Sequence, residues 1–181
     1  TEVFFTRCEA GKRENKGCII MYSMREGTQW SEPEKIEILA DSLVAAHPAV
    51  TPDGSTLYFV SDIPGGFGGK DIYLSTRKSA GNSWSRPENA GPDINTRGNE
   101  LFPYIRDNGI LYFASDGHIG MGGLDIFRAV PQMGNRWLVQ NMRPPINSNA
   151  DDFGITFERE AEKGLFSSAR KGRGADDLFS F

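Results

Sequence analysis

A repeat of about 54 residues constrains the fold of this chain more than any other feature. The stretch from 47 to 87 returns further along at an offset of 54 positions, which matches Phe59 with Phe113, Ser61 with Ser115, Asp62 with Asp116, and Asp71-Ile72-Tyr73 with Asp125-Ile126-Phe127. A more divergent copy ends at Asp177-Leu178-Phe179. A period near 50 with several short strands per unit is typical of propeller blades, whereas helical repeats would show a 3.6-residue periodicity that is missing.

The tryptophans follow the same period. Trp30, Trp84 and Trp137 are separated by 54 and 53 positions, so Trp30 belongs to a copy that precedes the first matched stretch. The sequence therefore predicts one all-β domain, a β-propeller of four-stranded antiparallel blades. The chain contains four blade positions, at about residues 1–39, 40–93, 94–147 and 148–181.

The first and last units are incomplete. In the first unit, strand-like segments lie at 3–7 and 19–23, and the alternation of Ile36 and Ile38 with polar neighbours predicts an outer strand after Trp30. The first unit therefore lacks its innermost strand, and the last unit lacks its outermost strand. Because the chain begins and ends in strand-like segments, we expect it to be part of a longer precursor.

The charge balance disfavours two kinds of partner. The chain has 20 Lys and Arg residues against 24 Asp and Glu, a net charge of −4. Nucleic acids and anionic membrane surfaces bind best to a concentrated basic face. No apolar run approaches the roughly 20 residues that span a bilayer. We therefore expect no nucleic-acid partner and no direct membrane insertion.

Two cysteines flank a polar loop between strand-like runs, so a hairpin could place Cys8 beside Cys18. We predict a disulfide across this hairpin, and hence an oxidising compartment such as the periplasm. Two free thiols of a cytosolic protein are the alternative. A zinc site is disfavoured because no further cysteine and no histidine lies nearby.

Aspartates recur at the start of the third strand of a unit. Asp71, Asp125 and Asp177 each follow a glycine-rich run, and we interpret them as acceptors of backbone N–H groups in their own turns. A calcium site is the alternative, but it needs six to eight oxygens and the pattern offers one carboxylate per blade. Structural roles are also predicted for Asp62, Asp116 and the three tryptophans, whose edge positions favour packing over stacking on sugars.

The glycine runs at 65–69 and 120–123 connect strand to strand. No helix N-terminus and no P-loop Lys-Ser pair follows them, so they are not predicted to bind phosphate. We predict long hairpin loops at one rim, where Phe67, Ile119 and Met121 offer an apolar contact to a partner.

Candidate catalytic residues are few. His47 and His118 lie at non-equivalent places of the repeat, and no G-x-S-x-G elbow is present. Glycosidases use two carboxylates, and Glu100, Asp151 and Asp152, near the starts of inner strands, are the candidates for such a pair. Turn and rim hydrogen bonding also accounts for acidic residues there, and it is the interpretation we favour. We predict that the chain is not an enzyme and holds no cofactor or metal.

Three motifs resemble a known repeat family. They are Pro52-Asp53-Gly54, the strand Leu57-Tyr58-Phe59-x-Ser61-Asp62, and Gly68-Gly69-x-Asp71-Ile72-Tyr73. Together they resemble the WD40-like PD40 propeller repeat of TolB-type periplasmic proteins. The glycine-rich loop followed by Trp-Ser-x-Pro is most similar to the propeller modules of Bacteroidetes OmpA-family envelope proteins, including PorE-like components of type IX secretion.

This resemblance implies a periplasmic scaffold associated with the outer membrane. Its function would be non-enzymatic, with rigid blades that display rim loops to protein partners of the cell envelope. Association with peptidoglycan would come from domains outside this chain. Two alternatives stay open, a glycan- or peptidoglycan-binding module and a propeller glycoside hydrolase.

Overall fold

Fifteen β-strands form the regular structure of the computed structural model, which describes residues 1–8, 17–40 and 42–181. They form four antiparallel sheets. The first sheet contains β1 (Glu2–Cys8), β2 (Cys18–Glu26), β3 (Gln29–Trp30) and β4 (Glu34–Lys35), and the second contains β5 (Ala46–Val50), β6 (Thr56–Ser61), β7 (Asp71–Thr76) and β8 (Glu88–Asn89). The third sheet contains β9 (Glu100–Ile105), β10 (Leu111–Ser115), β11 (Asp125–Gln132) and β12 (Arg136–Asn141). The fourth sheet contains β13 (Asp152–Phe157), β14 (Gly164–Ser168) and β15 (Asp177–Ser180). Within the described ranges, no helix is long and apolar enough to cross a membrane.

Each sheet is one blade. The complete blades pair their strands in chain order, as β5-β6-β7-β8 and β9-β10-β11-β12. The inner strands of neighbouring blades also touch, since β5 contacts β9 and β9 contacts β13. The predicted all-β propeller with four blade positions is confirmed.

A recurring backbone hydrogen bond shows which strands the end blades lack. It is 3.0 Å long in three blades, from Ile36 N–H to Ile20 O, from Ala90 N–H to Ile72 O and from Met142 N–H to Ile126 O. On this alignment β1 corresponds to β6, β10 and β14. Within the described residues, the first blade therefore has no counterpart of β5, and the last has no counterpart of β12. Both deficits agree with the predicted incomplete end blades.

The outer strand of the first blade is shorter than predicted. The alternation of Ile36 and Ile38 predicted a strand that includes both residues, but β4 ends at Lys35. Ile36 instead packs in the core with Leu57 of the second blade, and the N–H of Ile38 turns back to the carbonyl of Ile36 at 3.1 Å. The apolar spacing thus reflects packing against the next blade and not a continuing ladder.

The core lies between the blades. On β6, Phe59 packs toward the first blade, whereas Tyr58 and Val60 pack toward the third. Successive side chains of a strand point to opposite faces of its sheet. An interior blade therefore needs apolar residues on both faces, which explains why β6 is an almost unbroken apolar run.

Each inner strand bulges opposite the recurring phenylalanine of its blade. The register shifts opposite Phe59, Phe113 and Phe166, and the bulge residues have positive φ: His47 at 50°, Phe102 at 52° and Gly154 at 63°. Left-handed backbone is unfavourable for a residue with a Cβ. Ring stacking offsets this cost in two blades, because the rings of His47 and Phe102 lie 4.1 Å apart and nearly parallel.

Candidate functional site

Three glycine-rich loops lie at one face of the propeller, here called the loop face. They are residues 62–70, 116–124 and 169–176, and they join second to third strands. In each loop the aspartate that follows accepts two backbone N–H bonds of 2.5–3.2 Å: Asp71 from Phe67 and Gly68, Asp125 from Met121 and Gly122, and Asp177 from Arg173 and Gly174. Each aspartate therefore closes its own loop. Within the described residues, no group of three His, Cys, Asp or Glu side chains could hold a metal ion.

Close packing against the aspartate makes one glycine of each loop necessary. A Cβ at Gly66 would lie 2.2 Å from Asp71 Oδ2, and a Cβ at Gly120 would lie 2.1 Å from Asp125 Oδ2. Neither position has room for a larger residue. The loops are thus tightly folded hairpins with their backbone N–H groups turned inward.

This closure fixes where the predicted contact residues lie. Phe67 and Met121 occupy equivalent positions, and with Ile119 they are 45%, 48% and 96% exposed, respectively. Their equivalent in the fourth blade is Arg173, which the sequence analysis missed. The sequence signal that identifies Arg173 is its position four residues before the closing Asp177. The loop face thus presents apolar side chains from two blades and a cation from the third.

Two polar segments connect the blades beneath these loops. These lead-in segments, residues 94–100 and 146–152, each contain a buried asparagine. Asn95 accepts the N–H of Ile72 and donates to its carbonyl, both at 2.8 Å, and Asn147 does the same to Ile126 at the same distances. Each asparagine therefore satisfies the backbone of the preceding blade's third strand. We use the word seam for the contact of a lead-in segment with the glycine-rich loop and the third strand of the preceding blade.

Two of the three candidate catalytic carboxylates, Glu100 and Asp152, lie inside the seams. Glu100 is fully buried and accepts hydrogen bonds from the N–H of Thr96 at 2.9 Å, its hydroxyl at 2.7 Å and the hydroxyl of Ser115 at 2.7 Å. Such donors compensate the cost of burying a carboxylate.

Asp152 is the fourth-blade counterpart and is equally buried. It accepts the N–H of Ser148 at 2.6 Å, the hydroxyl of Ser168 at 2.5 Å and the guanidinium of Arg170 at 2.6 Å. Its neighbour Asp151 accepts the N–H of Leu124 at 2.8 Å. Glu100 and Asp152 connect strands and loops, and donors occupy both oxygens of each carboxylate. Asp151 is exposed.

Asp62 and Asp116 each follow a second strand and bind the chain just before the inner strand of their own blade. Asp62 accepts the N–H of Val44 at 2.8 Å, and Asp116 accepts the N–H and side-chain amide of Asn99 at 2.6 and 2.9 Å. Both recurring aspartates thus hold the chain as it approaches an inner strand.

In the first blade a disulfide takes the place of the carboxylate-closed loop. Cys8 and Cys18 are directly opposite in the register of β1 and β2 and are bonded, so the predicted disulfide is confirmed. The intervening residues 9–16 lie outside the described ranges. The N–H of Ala45 bonds to Cys18 O at 2.7 Å as Glu100 N–H bonds to Lys70 O at 2.8 Å. Ala45 is therefore the counterpart of Glu100.

The tryptophans differ in their surroundings. The guanidinium of Arg77 lies 4.4 Å from the centre of the Trp84 ring. The backbone N–H of Trp137 donates to the carboxylate of Asp93 at 2.9 Å. Trp30 is half exposed. Trp84 also lines a cleft of about 210 Å³ between the first two blades, but Arg77 lies against its ring.

The histidines serve as hydrogen-bonding residues. Nδ1 of His47 accepts the N–H of Phe102 at 3.2 Å, which requires an unprotonated nitrogen. Burial, with a smaller contribution from Lys70, lowers the pKa of His47 below its usual 6.5. Nε2 of His118 lies 2.8 Å from the carbonyl of Ile94. His47 thus joins the second blade to the third, and His118 holds the lead-in segment of its own unit.

The blades, bulged inner strands and polar seams define a β-propeller repeat protein. No family model matches the chain, and no curated protein matches its sequence. Among solved structures, the chain is similar to a puromycin-hydrolysing peptidase of Mycobacterium tuberculosis, at 13% identity and a TM-score of 0.57, over 92% of this chain and 23% of that one. It is also similar to an α-L-arabinofuranosidase from Lactobacillus brevis, at 13% identity and a TM-score of 0.57, over 99% of this chain and 68% of that one.

A putative TolB from Agrobacterium tumefaciens matches at 13% identity and a TM-score of 0.44, over 92% of this chain and 70% of that one. At 13% identity the likeness to the peptidase and the arabinofuranosidase shows the propeller fold alone. The chain spans less than a quarter of the peptidase's length.

Proposed function

We propose that this chain is a non-enzymatic interaction propeller of a Gram-negative cell envelope, periplasmic and associated with the outer membrane, whose loop face binds protein partners. The observation that carries this proposal is the combination of closed loops with exposed apolar side chains. Asp71 and Asp125 hold the loop backbones, while Phe67, Ile119 and Met121 stay exposed. Preorganised loops lose little entropy on binding, and exposed apolar side chains on such loops offer contact area to a protein partner.

The disulfide supports an extracytoplasmic location. Disulfides persist in oxidising compartments such as the periplasm and are rare in the cytosol. The repeat motifs add the resemblance to envelope propellers of the OmpA-family and PorE-like kind. Peptidoglycan association, on this proposal, belongs to domains outside the chain.

The carboxylates support a non-enzymatic role. A glycosidase needs two carboxyl groups that reach the scissile bond and its water. Glu100 and Asp152 are buried, and serine, threonine and arginine donors occupy their oxygens. Their arrangement suits the joining of blades better than contact with a substrate.

Affinity capture tests the proposal. The immobilised chain is incubated with a Bacteroidetes envelope extract, and retained proteins are identified by mass spectrometry. The proposal predicts a few stoichiometric outer-membrane or secretion components. Retention of glycan without protein, or cosedimentation with purified peptidoglycan sacculi, would instead favour the glycan-binding alternative. Glycan cleavage abolished by Glu100→Gln or Asp152→Asn would favour the hydrolase.

A further inference from the structure

The outer edge of the third blade is longer than that of the two blades before it. β12 spans six residues, whereas the outer strands β3, β4 and β8 span two residues each. The third blade has all four of its strands, and in the described structure β12 pairs only with β11. The unpaired N–H and C=O groups of an edge strand can pair with another chain, and natural proteins usually block long edges.

Proline blocks the same edge in the first two blades. Pro33 and Pro87 directly precede β4 and β8, and the register places Val139 at the equivalent position of β12. The residue that follows each of the three pairs with the position two residues beyond the isoleucine that accepts the recurring backbone hydrogen bond. Proline has no N–H and is tolerated at sheet edges for that reason. The third blade therefore has a backbone donor where the other two have none.

One extra residue also interrupts the outer strand of the first two blades. Their tryptophan lies three positions before the proline, whereas Trp137 lies only two positions before Val139. An additional residue in one strand of an antiparallel pair disrupts the ladder locally. In the first blade the outer strand is divided into β3 and β4, whereas β12 continues without a break.

Val139 directs its backbone groups away from β11. The N–H of Met142 donates to a β11 carbonyl at 3.0 Å, and antiparallel ladders alternate such inward positions with outward ones. Trp137, Val139 and Asn141 are therefore the outward positions. The N–H of Trp137 agrees with this assignment, because it donates to Asp93 at 2.9 Å. The N–H and C=O of Val139 and Asn141 are thus available to an added strand.

The groove beside this edge is basic. It has a volume of about 570 Å³, and Arg128 and Arg143 are the charged residues among those that line it. Both arginines are exposed. The stretch from 126 to 150 contains three arginines and no acidic residue, in a chain with a net charge of −4. Charges of opposite sign stabilise neighbouring strands and like charges destabilise them, so an acidic strand suits this edge and a second copy of it does not.

We infer that the outer edge of β12 binds an extended segment of a separate protein in which acidic and β-branched apolar residues alternate. The segment adds a fifth strand to the blade and exchanges backbone hydrogen bonds with Val139 and Asn141, as in β-strand addition. Its acidic side chains lie on the sheet face that carries Arg128 and Gln140. Its apolar side chains lie beside Val139, on the opposite face. This edge is distinct from the loop face.

The test uses a short fluorescent peptide of alternating glutamate and valine, titrated with the full chain and followed by fluorescence anisotropy. We expect saturable binding that Val139→Pro weakens about tenfold or more, because proline restores the block of the second blade. Val139→Ile, which keeps the N–H and the β-branched shape, is the matched control and should bind like the unaltered chain. Val139→Pro removes an outward N–H and no ladder bond, so its unfolding midpoint should show that it still folds.

Two altered peptides test the binding mode without any change in the protein. A peptide N-methylated at its valines keeps every side chain but loses the N–H groups that face β12, and it should not bind measurably. A peptide of alternating lysine and valine should bind about tenfold or more weakly than the glutamate peptide, because its charges meet those of Arg128 and Arg143.

Absence of saturable binding would overturn the inference, as would equal binding by the N-methylated peptide, by the lysine peptide or by a folded Val139→Pro variant. A concentration-dependent dimer that Val139→Pro abolishes would also overturn it, since a second copy would then occupy the edge. Phe67→Ser should leave peptide binding unchanged, which separates this inference from the proposed role of the loop face.

Discussion

The hydroxyl of Ser115 donates a 2.7 Å hydrogen bond to the buried carboxylate of Glu100, and the equivalent serine one blade earlier has no such acceptor. That serine is Ser61, and Ala45 stands where Glu100 would be. In the described structure Ser61 Oγ is buried without a hydrogen-bond partner. The same residue type thus stabilises a seam in one blade and is unsatisfied in another, so the chain contains its own control.

Replacement of these serines should have unequal effects. Ser115→Ala removes a donor from a buried carboxylate and the acceptor of the Gly117 and His118 N–H groups, so it should lower the free energy of unfolding by about 1–3 kcal/mol. Ser61→Ala removes an unsatisfied hydroxyl and should leave stability unchanged within about 0.5 kcal/mol, or raise it. Urea unfolding of both variants measures the difference. Equal losses would show that the hydrogen bonds of Ser115 do not contribute to stability.

The seam glycines allow a second paired test. Gly122→Ala places a Cβ 2.2 Å from Ala150 O, so the blades must shift, and we expect a loss of about 1–3 kcal/mol. At the equivalent position of the fourth loop, a Cβ at Gly174 would meet nothing closer than 3.4 Å, so Gly174→Ala should change stability by less than about 0.5 kcal/mol. Chemical denaturation of the two variants compares them directly. A large loss for Gly174→Ala would mean that its surroundings are not open.

His47 should make stability depend on pH. Its pKa in the folded chain is lowered from 6.5, so the unfolded chain binds the proton more readily. The contribution of His47 to the free energy of unfolding is therefore complete above about pH 6.5. It is lost as the pH falls from there through the pKa of His47 in the folded chain. His47→Phe should flatten this pH dependence, and Phe102 shows that phenylalanine is compatible with the bulge. Unfolding free energies at several pH values between 5 and 8 test it, and an unchanged slope in the variant would exclude His47 as the source.

The disulfide between Cys8 and Cys18 should stabilise the first blade. It closes a loop of 10 residues in sequence separation, for which the chain-entropy model gives about 2–3 kcal/mol. The Cys8→Ser, Cys18→Ser double variant should lose this amount in urea unfolding. A reducing agent should destabilise the unaltered chain equally and leave the double variant unaffected. No loss in the fully reduced chain would contradict the assigned role.

Much of the fold follows from the sequence because the repeat is local and periodic. The last three copies share a glycine-rich loop and a closing aspartate, and all four share an apolar second strand, so strand order and the incomplete end blades can be predicted. The outer strand at Ile36 and Ile38 was misassigned because alternation also arises when a residue packs under the next blade. Sequence alone does not distinguish these two forms of burial.

The candidate site was predictable only in part. Phe67, Ile119 and Met121 are exposed on the glycine-rich loops, and their contact with a partner stays a prediction. The roles of Glu100 and Asp152 were ambiguous, because an acidic residue before an inner strand suits both catalysis and blade joining. Only their burial and their donors, which depend on contacts between blades, distinguish the two.

The most direct test of the proposed function is a comparison of envelope-extract capture by the unaltered chain and by a Phe67→Ser, Ile119→Ser, Met121→Ser variant. These side chains are exposed, so both chains should have similar unfolding midpoints. The proposed function predicts that the unaltered chain retains a few stoichiometric envelope proteins and that the variant loses them. Retention of the same proteins by a correctly folded variant would contradict partner binding through the loop face.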